Sequence, residues 1–261
     1  MSTAASDRPT AADRNVTACI VVIGNEILSG RTKDANIPYL AVELGKVGVR
    51  VMECRVVPDI EQRIIETVNE VRARFDYVFT TGGIGPTHDD ITADCIARAF
   101  GVGISEHPEA IDRMTRYYGD PAQFTVARRR MARVPDGGEL VDNPISVAPG
   151  FRIGNVYVFA GIPRIVEGMF QSMKHQLVGG TPVQSRTVRT NIVEGIIAEP
   201  LGALQQRFAD IDIGSYPGFR QGRPSVSLVL RGTDPVRLDA VRDELFAILK
   251  GLGGEAEEFV Q

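Results

Sequence analysis

The sequence predicts a three-layer α/β/α domain on a mostly parallel sheet, followed by a small α+β domain. Three observations carry this expectation. Apolar runs alternate with helical patterns along the first half of the chain, a βαβαβ order that implies parallel strands joined by right-handed crossovers. The leading run, Ala18-Cys19-Ile20-Val21-Val22-Ile23, is continuously apolar, as in a strand buried on both faces. After Val178-Gly179-Gly180-Thr181-Pro182 the order changes to βαββα. The predicted boundaries are a disordered lead over 1–16, a first domain over 17–178 and a second over 183–261.

The first strand ends at Gly24, and 24–30 leaves it as a loop. Asp34 is placed to cap the next helix, with Pro38 in its first turn. Leu40, Leu44 and Val47 give that helix an apolar face, and Gly45 and Gly48 end it. A second strand is expected over Val49–Val57. Pro58-Asp59 follows, then a helix over 60–74 with Ile64, Ile65, Val68 and Val71 on one stripe. Tyr77–Thr81 is the third strand, and 93–100 a helix with Thr92 as its N-cap. Two more helices are expected over 107–118 and 121–133. The second carries Arg128, Arg129, Arg130 and Arg133. The cluster reads either as a solvated face or as a phosphate contact, and at least two of its members read as the solvated face, because consecutive residues point different ways on a helix. A turn-rich stretch over 142–151 leads to a strand over 156–160, and Gly161-Ile162-Pro163-Arg164 opens a helix running to Leu177. The second domain reads as strands over 186–193, 212–216 and 226–230 with helices over 200–208 and 235–249.

Composition bounds the function. The 261 residues are 43% hydrophobic and 24% charged, as in an ordinary globular protein, and the net charge of −4 gives no general attraction to nucleic acid or an anionic membrane. No apolar run approaches the roughly 18 residues of a spanning helix, and 1–16 lacks the apolar core of a signal peptide. The three cysteines, Cys19, Cys54 and Cys95, read as buried free thiols of a cytoplasmic protein, with no Cys/His spacing for zinc.

The chemistry concentrates at Thr80-Thr81-Gly82-Gly83-Ile84-Gly85-Pro86-Thr87-His88-Asp89-Asp90-Ile91-Thr92, a strand-to-helix turn. Its glycines admit positive φ and close approach of a ligand, and the helix start favours an anion. Asp89 and Asp90 would repel a bare phosphate, so a bound phosphate ester calls for a bridging cation such as Mg²⁺. In a parallel sheet the loops over 24–30, 58–59 and 82–92 leave the carboxyl ends of the strands, which would bring Glu26, Asp59, Asp89 and Asp90 to one cleft. Taken alone, Asp59 reads as a helix N-cap.

The segment 82–92 resembles the signature of the molybdenum-cofactor biosynthesis (MoCF) superfamily. Its Thr-His-Asp-Asp form is similar to the branch that holds CinA N-terminal domains and the molybdopterin-binding-like domain of FAD synthases. Met131-Ala132-Arg133-Val134-Pro135, Asn143-Pro144-Ile145-Ser146, Ala148-Pro149-Gly150-Phe151, Gly161-Ile162-Pro163 and Ile213-Gly214-Ser215-Tyr216-Pro217 follow in that branch's order. Val147 departs from the lysine or small polar residue expected there. The resemblance implies a MoCF-type sheet and a KH-like second domain. It also implies a cleft for a phosphorylated nucleotide or pterin, molybdopterin included. Gly24, Glu26, Thr81, Gly82, Gly83, Gly85, Pro86, Thr87, Asn143, Ser146, Gly161 and Pro163 would bind that ligand. Asp59, Asp89 and Asp90 would hold Mg²⁺, Co²⁺ or Mn²⁺, with Asp59 and Asp90 catalytic in pyrophosphate hydrolysis of ADP-ribose- or FAD-like dinucleotides. Binding without turnover is the alternative. The second domain has no GxxG loop between helices, and acids outnumber bases beyond Val183, which argues against a nucleic-acid partner. No membrane partner is expected, and a homo-oligomer stays open.

Overall fold

The computed structural model describes residues 15–220 and 222–259. The chain divides between Thr181 and Pro182 into two compact units. The first contains β1 (Val16–Ile23), α1 (Asn25–Leu28), α2 (Asn36–Lys46), β2 (Val49–Val57), α3 (Glu61–Arg74), β3 (Tyr77–Thr81), α4 (Thr92–Phe100) and β4 (Ile104–Glu106). It continues with α5 (Pro108–Tyr118), α6 (Val126–Arg129), β5 (Arg133–Pro135), β6 (Glu139–Val141), β7 (Gly150–Ile153), β8 (Val156–Phe159) and α7 (Pro163–Met173). The central sheet has the order β2-β1-β3-β8-β7-β6. Strands β2, β1, β3 and β8 are parallel, and β7 runs antiparallel to β8 and β6.

Alternation along β1 explains the layers. Ala18, Ile20 and Val22 pack with Leu40 and Leu44 of α2 and Val166, Met169 and Phe170 of α7. Cys19, Val21 and Ile23 point the other way, to Ile64, Val68 and Val71 of α3 and Cys95 and Ile96 of α4. Every one of these β1 side chains is buried, which is why the run is apolar throughout. Phe79 stacks on Tyr157 at 5.2 Å between β3 and β8. Each fully buried aliphatic or aromatic side chain of this kind contributes roughly 1.5–3 kcal/mol.

Several boundaries are corrected. β1 begins at Val16, one residue inside the expected lead, and residues 1–14 of that lead lie outside the described residues. The loop after β1 holds the one-turn helix α1. The helix expected over 121–133 is reduced to α6 and one 3₁₀ turn, because 133–135 pairs with β4 as an antiparallel strand. Cys54 is exposed, because β2 is the edge strand and its outer half is uncovered. The expected linker is shorter, since Val178 donates its N–H to Tyr77 Oη at 3.0 Å and Gly180 donates its own to Gly48 O at 2.9 Å. Among the described residues no helix is long and apolar enough to cross a membrane.

The second unit contains β9 (Gln184–Thr190), α8 (Glu194–Arg207), β10 (Asp212–Arg220), β11 (Arg223–Gly232), α9 (Pro235–Gly251) and β12 (Ala256–Phe259). The sheet is antiparallel with the order β10-β11-β9-β12. Its core joins Val188, Leu228 and Leu230 to Ile197 and Leu204 of α8 and Leu238, Val241 and Leu245 of α9. The expected βαββα gains β12 and becomes βαββαβ, with the strand order of a ferredoxin-like unit.

Candidate functional site

β1 lies between β2 and β3, so the winding of the chain reverses there, and the loops after β1 and β3 leave the same end of the sheet. Gly82 stands at that end with φ +100° and donates its N–H to Phe159 O at 3.2 Å. A Cβ on Gly82 would lie 2.1 Å from Ile23 O, so only glycine fits. A Cβ on Gly161 would lie 3.3 Å from Gly82 Cα. The glycine turn and the turn after β8 therefore stand against each other at one end of the sheet. Asn36, buried at the start of α2, donates Nδ2 to Gly161 O at 2.9 Å and ties that helix to the same end. Ala35, not Asp34, takes the cap position of α2, but Asp34, one residue before it, secures the helix start by accepting from the Ile37 amide at 2.9 Å.

Gly83 has φ +70°, and a Cβ there would lie 2.1 Å from Thr92 Oγ1. Thr92 is the first residue of α4, not its cap. Ile91 takes the cap position, and Thr92 turns its hydroxyl inward. The hydroxyls of Thr81 and Thr92 are buried and have no hydrogen-bond partner. Unpartnered buried hydroxyls are uncommon in folded proteins, and both of these border the turn, at the amide end of α4 that favours an anion.

Asp90 Oδ2 accepts from the Thr87 amide at 2.8 Å and lies 2.5 Å from Thr87 Oγ1. Asp89 Oδ1 lies 2.6 Å from that same hydroxyl. One hydroxyl proton serves two carboxylates, which brings both acids to one oxygen. The Thr87 hydroxyl holds the Asp89 carboxyl below the usual carboxylate range. A Cβ on Gly85 would lie 2.6 Å from Asp90 Oδ2, so Gly85 leaves room for that carboxylate. Pro86 and Thr87 are exposed beside it.

Asp59 does not cap its own helix. Ile60 has the cap position of α3, and Asp59 Oδ2 accepts from the Asn25 amide at 2.8 Å, tying the loop after β2 to the start of α1. Glu26 is exposed in α1, and its carboxylate folds back to within 2.6 Å of where a Gly24 Cβ would sit. Among the described residues no three His, Cys, Asp or Glu side chains are gathered to hold a metal ion. Asp59, Asp89 and Asp90 thus do not make a ready-formed three-carboxylate set.

Asn143 is buried and fully engaged within its own loop. It accepts from the amides of Ile145 and Ser146 at 3.0 and 3.1 Å and donates to Ser146 Oγ and Ala148 O at 2.7 and 2.8 Å. Its amide is spent on shaping the loop, whereas the Ser146 hydroxyl, which accepts from Asn143, can still donate. Val147, in the same loop, has φ +64°, the one non-glycine residue with positive φ among those described. A β-branched residue is strained there, and its side chain is held against the Ala110, Met114 and Ala132 cluster. Sequence reasoning missed this; the departure at 147 was its only signal. Pro163 is exposed at the first position of α7, with Ile162 at the cap.

The family described as "Probable molybdopterin binding domain" matches residues 19–206. The chain belongs to this MoCF family. "FAD synthase, middle domain" matches residues 182–253. The chain is 34% identical to a CinA-like protein of Citrifermentans bemidjiense, over 82% of this chain and 53% of that one. It is 31% identical to a Probable FAD synthase of Caenorhabditis briggsae, over 90% of this chain and 50% of that one. The chain thus spans about half the length of these two relatives. The solved structure of the protein CinA with unknown function from Thermoplasma acidophilum aligns at TM-score 0.58 and 30% identity, covering 62% of this chain and 99% of that one. These matches place the MoCF chain in the CinA-like branch.

Proposed function

We propose that the chain binds a phosphorylated nucleotide or pterin at the glycine turn and hydrolyses the pyrophosphate bond of ADP-ribose- or FAD-like dinucleotides with a divalent metal ion. The observation that carries the reading is the turn itself: Gly82 pressed between Ile23 O and Gly161, with two unpartnered buried hydroxyls beside the amide end of α4. The name of the FAD synthase relatives directs the choice of ligand to nucleotides. Gly82, Gly83 and Gly85 let phosphate oxygens approach the backbone. Asp89 and Asp90 offer hard oxygen donors side by side, a set that suits Mg²⁺, Co²⁺ or Mn²⁺ with ligand phosphates completing the coordination. Such an ion supplies charge neutralisation at the phosphate oxygens and a more acidic bound water. In hydrolysis, a water oxygen bonds to one phosphorus while the bridging P–O bond breaks and its electron pair leaves on the other phosphate. The proton lost by water passes to a rim carboxylate, Asp59 or Asp90.

The test is nucleoside monophosphate release from ADP-ribose and FAD with each of the three metals, for the parent, Asp90→Asn and Asp59→Asn. Asparagine keeps the acceptor oxygen that Thr87 and Asn25 use, so thermal midpoints should stay within about 3 °C. Turnover should fall at least about 100-fold, the scale of losing a general base. Full activity in Asp90→Asn would remove the mechanism. A second reading, pterin binding without turnover, is favoured by the lack of a preformed three-carboxylate set among the described residues. Binding of a pterin by a parent that releases no monophosphate from either dinucleotide would establish it.

A further inference from the structure

Four arginines lie close together in sequence beside the glycine turn, and three of them are occupied. Arg129 pairs with Glu106. Arg133 makes a two-pronged pair with Asp94 at 3.0 and 2.6 Å. Arg128 donates to Gln123 O at 2.5 Å and lies over the Tyr118 ring, 4.6 Å from its centroid. Arg130 differs. It is half-buried, and it donates Nη2 to the carbonyl oxygen of Asp90 at a long 3.3 Å. Among the described residues it has no carboxylate partner. It also lines a narrow crevice between the glycine turn and residues 130–133, whose other walls include Gly85, Asp90, Pro149, Phe151 and the paired Asp94 and Arg133.

A half-buried guanidinium without a counter-charge is an unfavourable arrangement unless an anion completes it. Its position makes that anion the ligand's. The Nη2–Asp90 bond fixes the guanidinium to the backbone of the turn that also holds the Asp89 and Asp90 carboxylates. Its planar fork, with most donors still unspent, matches the spacing of phosphate oxygens in a way a lysine would not. Arg133 cannot do the same work, because Asp94 already fills its fork. The 3₁₀ turn Arg130–Ala132 explains the sorting: the chain leaves the helix there, so neighbouring arginines diverge, and of the two that line the crevice, Arg130 and Arg133, only Arg130 keeps its fork free of a carboxylate.

We infer that Arg130 is the side chain that grips the phosphate of the ligand, with Arg129 and Arg133 serving structure alone. This rests on the proposed binding of a phosphorylated ligand at the glycine turn, and it adds the class of group recognised: a phosphate monoester or pyrophosphate, read by a planar two-pronged donor.

The experiment is calorimetric titration of the full chain, with Mg²⁺ present, against AMP and adenosine, FMN and riboflavin, and inorganic pyrophosphate. Parent, Arg130→Gln, Arg130→Lys and Arg129→Gln are compared, with thermal midpoints recorded for each. Arg130→Gln should weaken AMP, FMN and pyrophosphate at least about tenfold, the usual scale for a charge-assisted pair. It should flatten the salt dependence of their binding and leave adenosine and riboflavin unchanged. Arg130→Lys should fall between the two, and Arg129→Gln should bind as the parent does. If the parent binds phosphorylated probes and Arg130→Gln binds them equally well, this inference alone falls. Failure of the parent to bind any phosphorylated probe overturns both this inference and the reading beneath it.

Discussion

Gly82 and Gly101 both have positive φ, but their surroundings differ, and the difference makes a measurable contrast. Gly82 lies at φ +100° with Ile23 O where a Cβ would go, whereas Gly101 closes α4 at φ +68° with nothing within 4 Å. Gly101→Ala should cost about 1 kcal/mol, the left-handed penalty alone. Gly82→Ala adds a backbone clash and should cost about 2–4 kcal/mol, a fall of roughly 5–15 °C in thermal midpoint. Equal losses at the two positions would mean that the turn yields and that the close approach of β1 and β3 is not rigid. The same contrast shows what the site's sequence disclosed. A glycine requirement is local, so the turn over 82–85 was readable from letters alone. The roles of Asp59 and Asn143 were not. Asp59 reads as a cap for the helix next to it, yet its partner is the Asn25 amide across the strand ends. Asn143 reads as a ligand contact, yet its loop consumes its amide. Arg130 sits in a run of like residues, and only the pairing of its neighbours with distant acids sets it apart.

Elements were legible where burial dictates period, and less so where strand pairing or a single residue overrides it. β1, β3 and β8 are buried in a sheet covered on both faces, and their apolar runs announce them. β4 and β12 are short and largely exposed, so Ile104–Glu106 and Ala256–Phe259 carry no apolar signal and exist through pairing with β5 and β9. The start of α8 was misjudged for a different reason. Proline usually opens a helix, so the sequence suggests a start at Pro200, but α8 begins at Glu194 and carries Pro200 in its interior. There the ring removes one hydrogen bond and crowds the carbonyl of Ile196, a defect worth about 3 kcal/mol in an ordinary helix. Pro200 is half-buried, so part of that is offset by packing. Pro200→Ala should therefore stabilise the second unit by about 1–2 kcal/mol in equilibrium denaturation followed by helix signal. A loss of stability would show that the ring's contacts outweigh the helical defect.

At the scale of the whole chain, the two units have separate cores, so each has the apolar burial that independent folding requires. Where the first unit ends is then a physical question. The glycines after α7 look like a linker, but they are clasped to the turn between α2 and β2. A Cβ on Gly48 would lie 1.9 Å from Gly180 O, and one on Gly179 would lie 1.7 Å from Val47 O. Backbone packs on backbone there, with the Gly180–Gly48 bond at 2.9 Å and the Val178–Tyr77 bond at 3.0 Å holding the strip in place. Glycines in this strip serve close approach and not flexibility. A chain ending at Thr181 keeps both bonds, and one ending at Leu177 loses both. Each bond contributes about 1 kcal/mol net, so the shorter fragment should unfold about 2 kcal/mol more easily in urea, with the same slope. Because both fragments lack the second unit, the comparison isolates the strip. Equal midpoints would return the boundary to residue 178, and a changed slope would mean that the shorter fragment has lost compactness as well as two bonds.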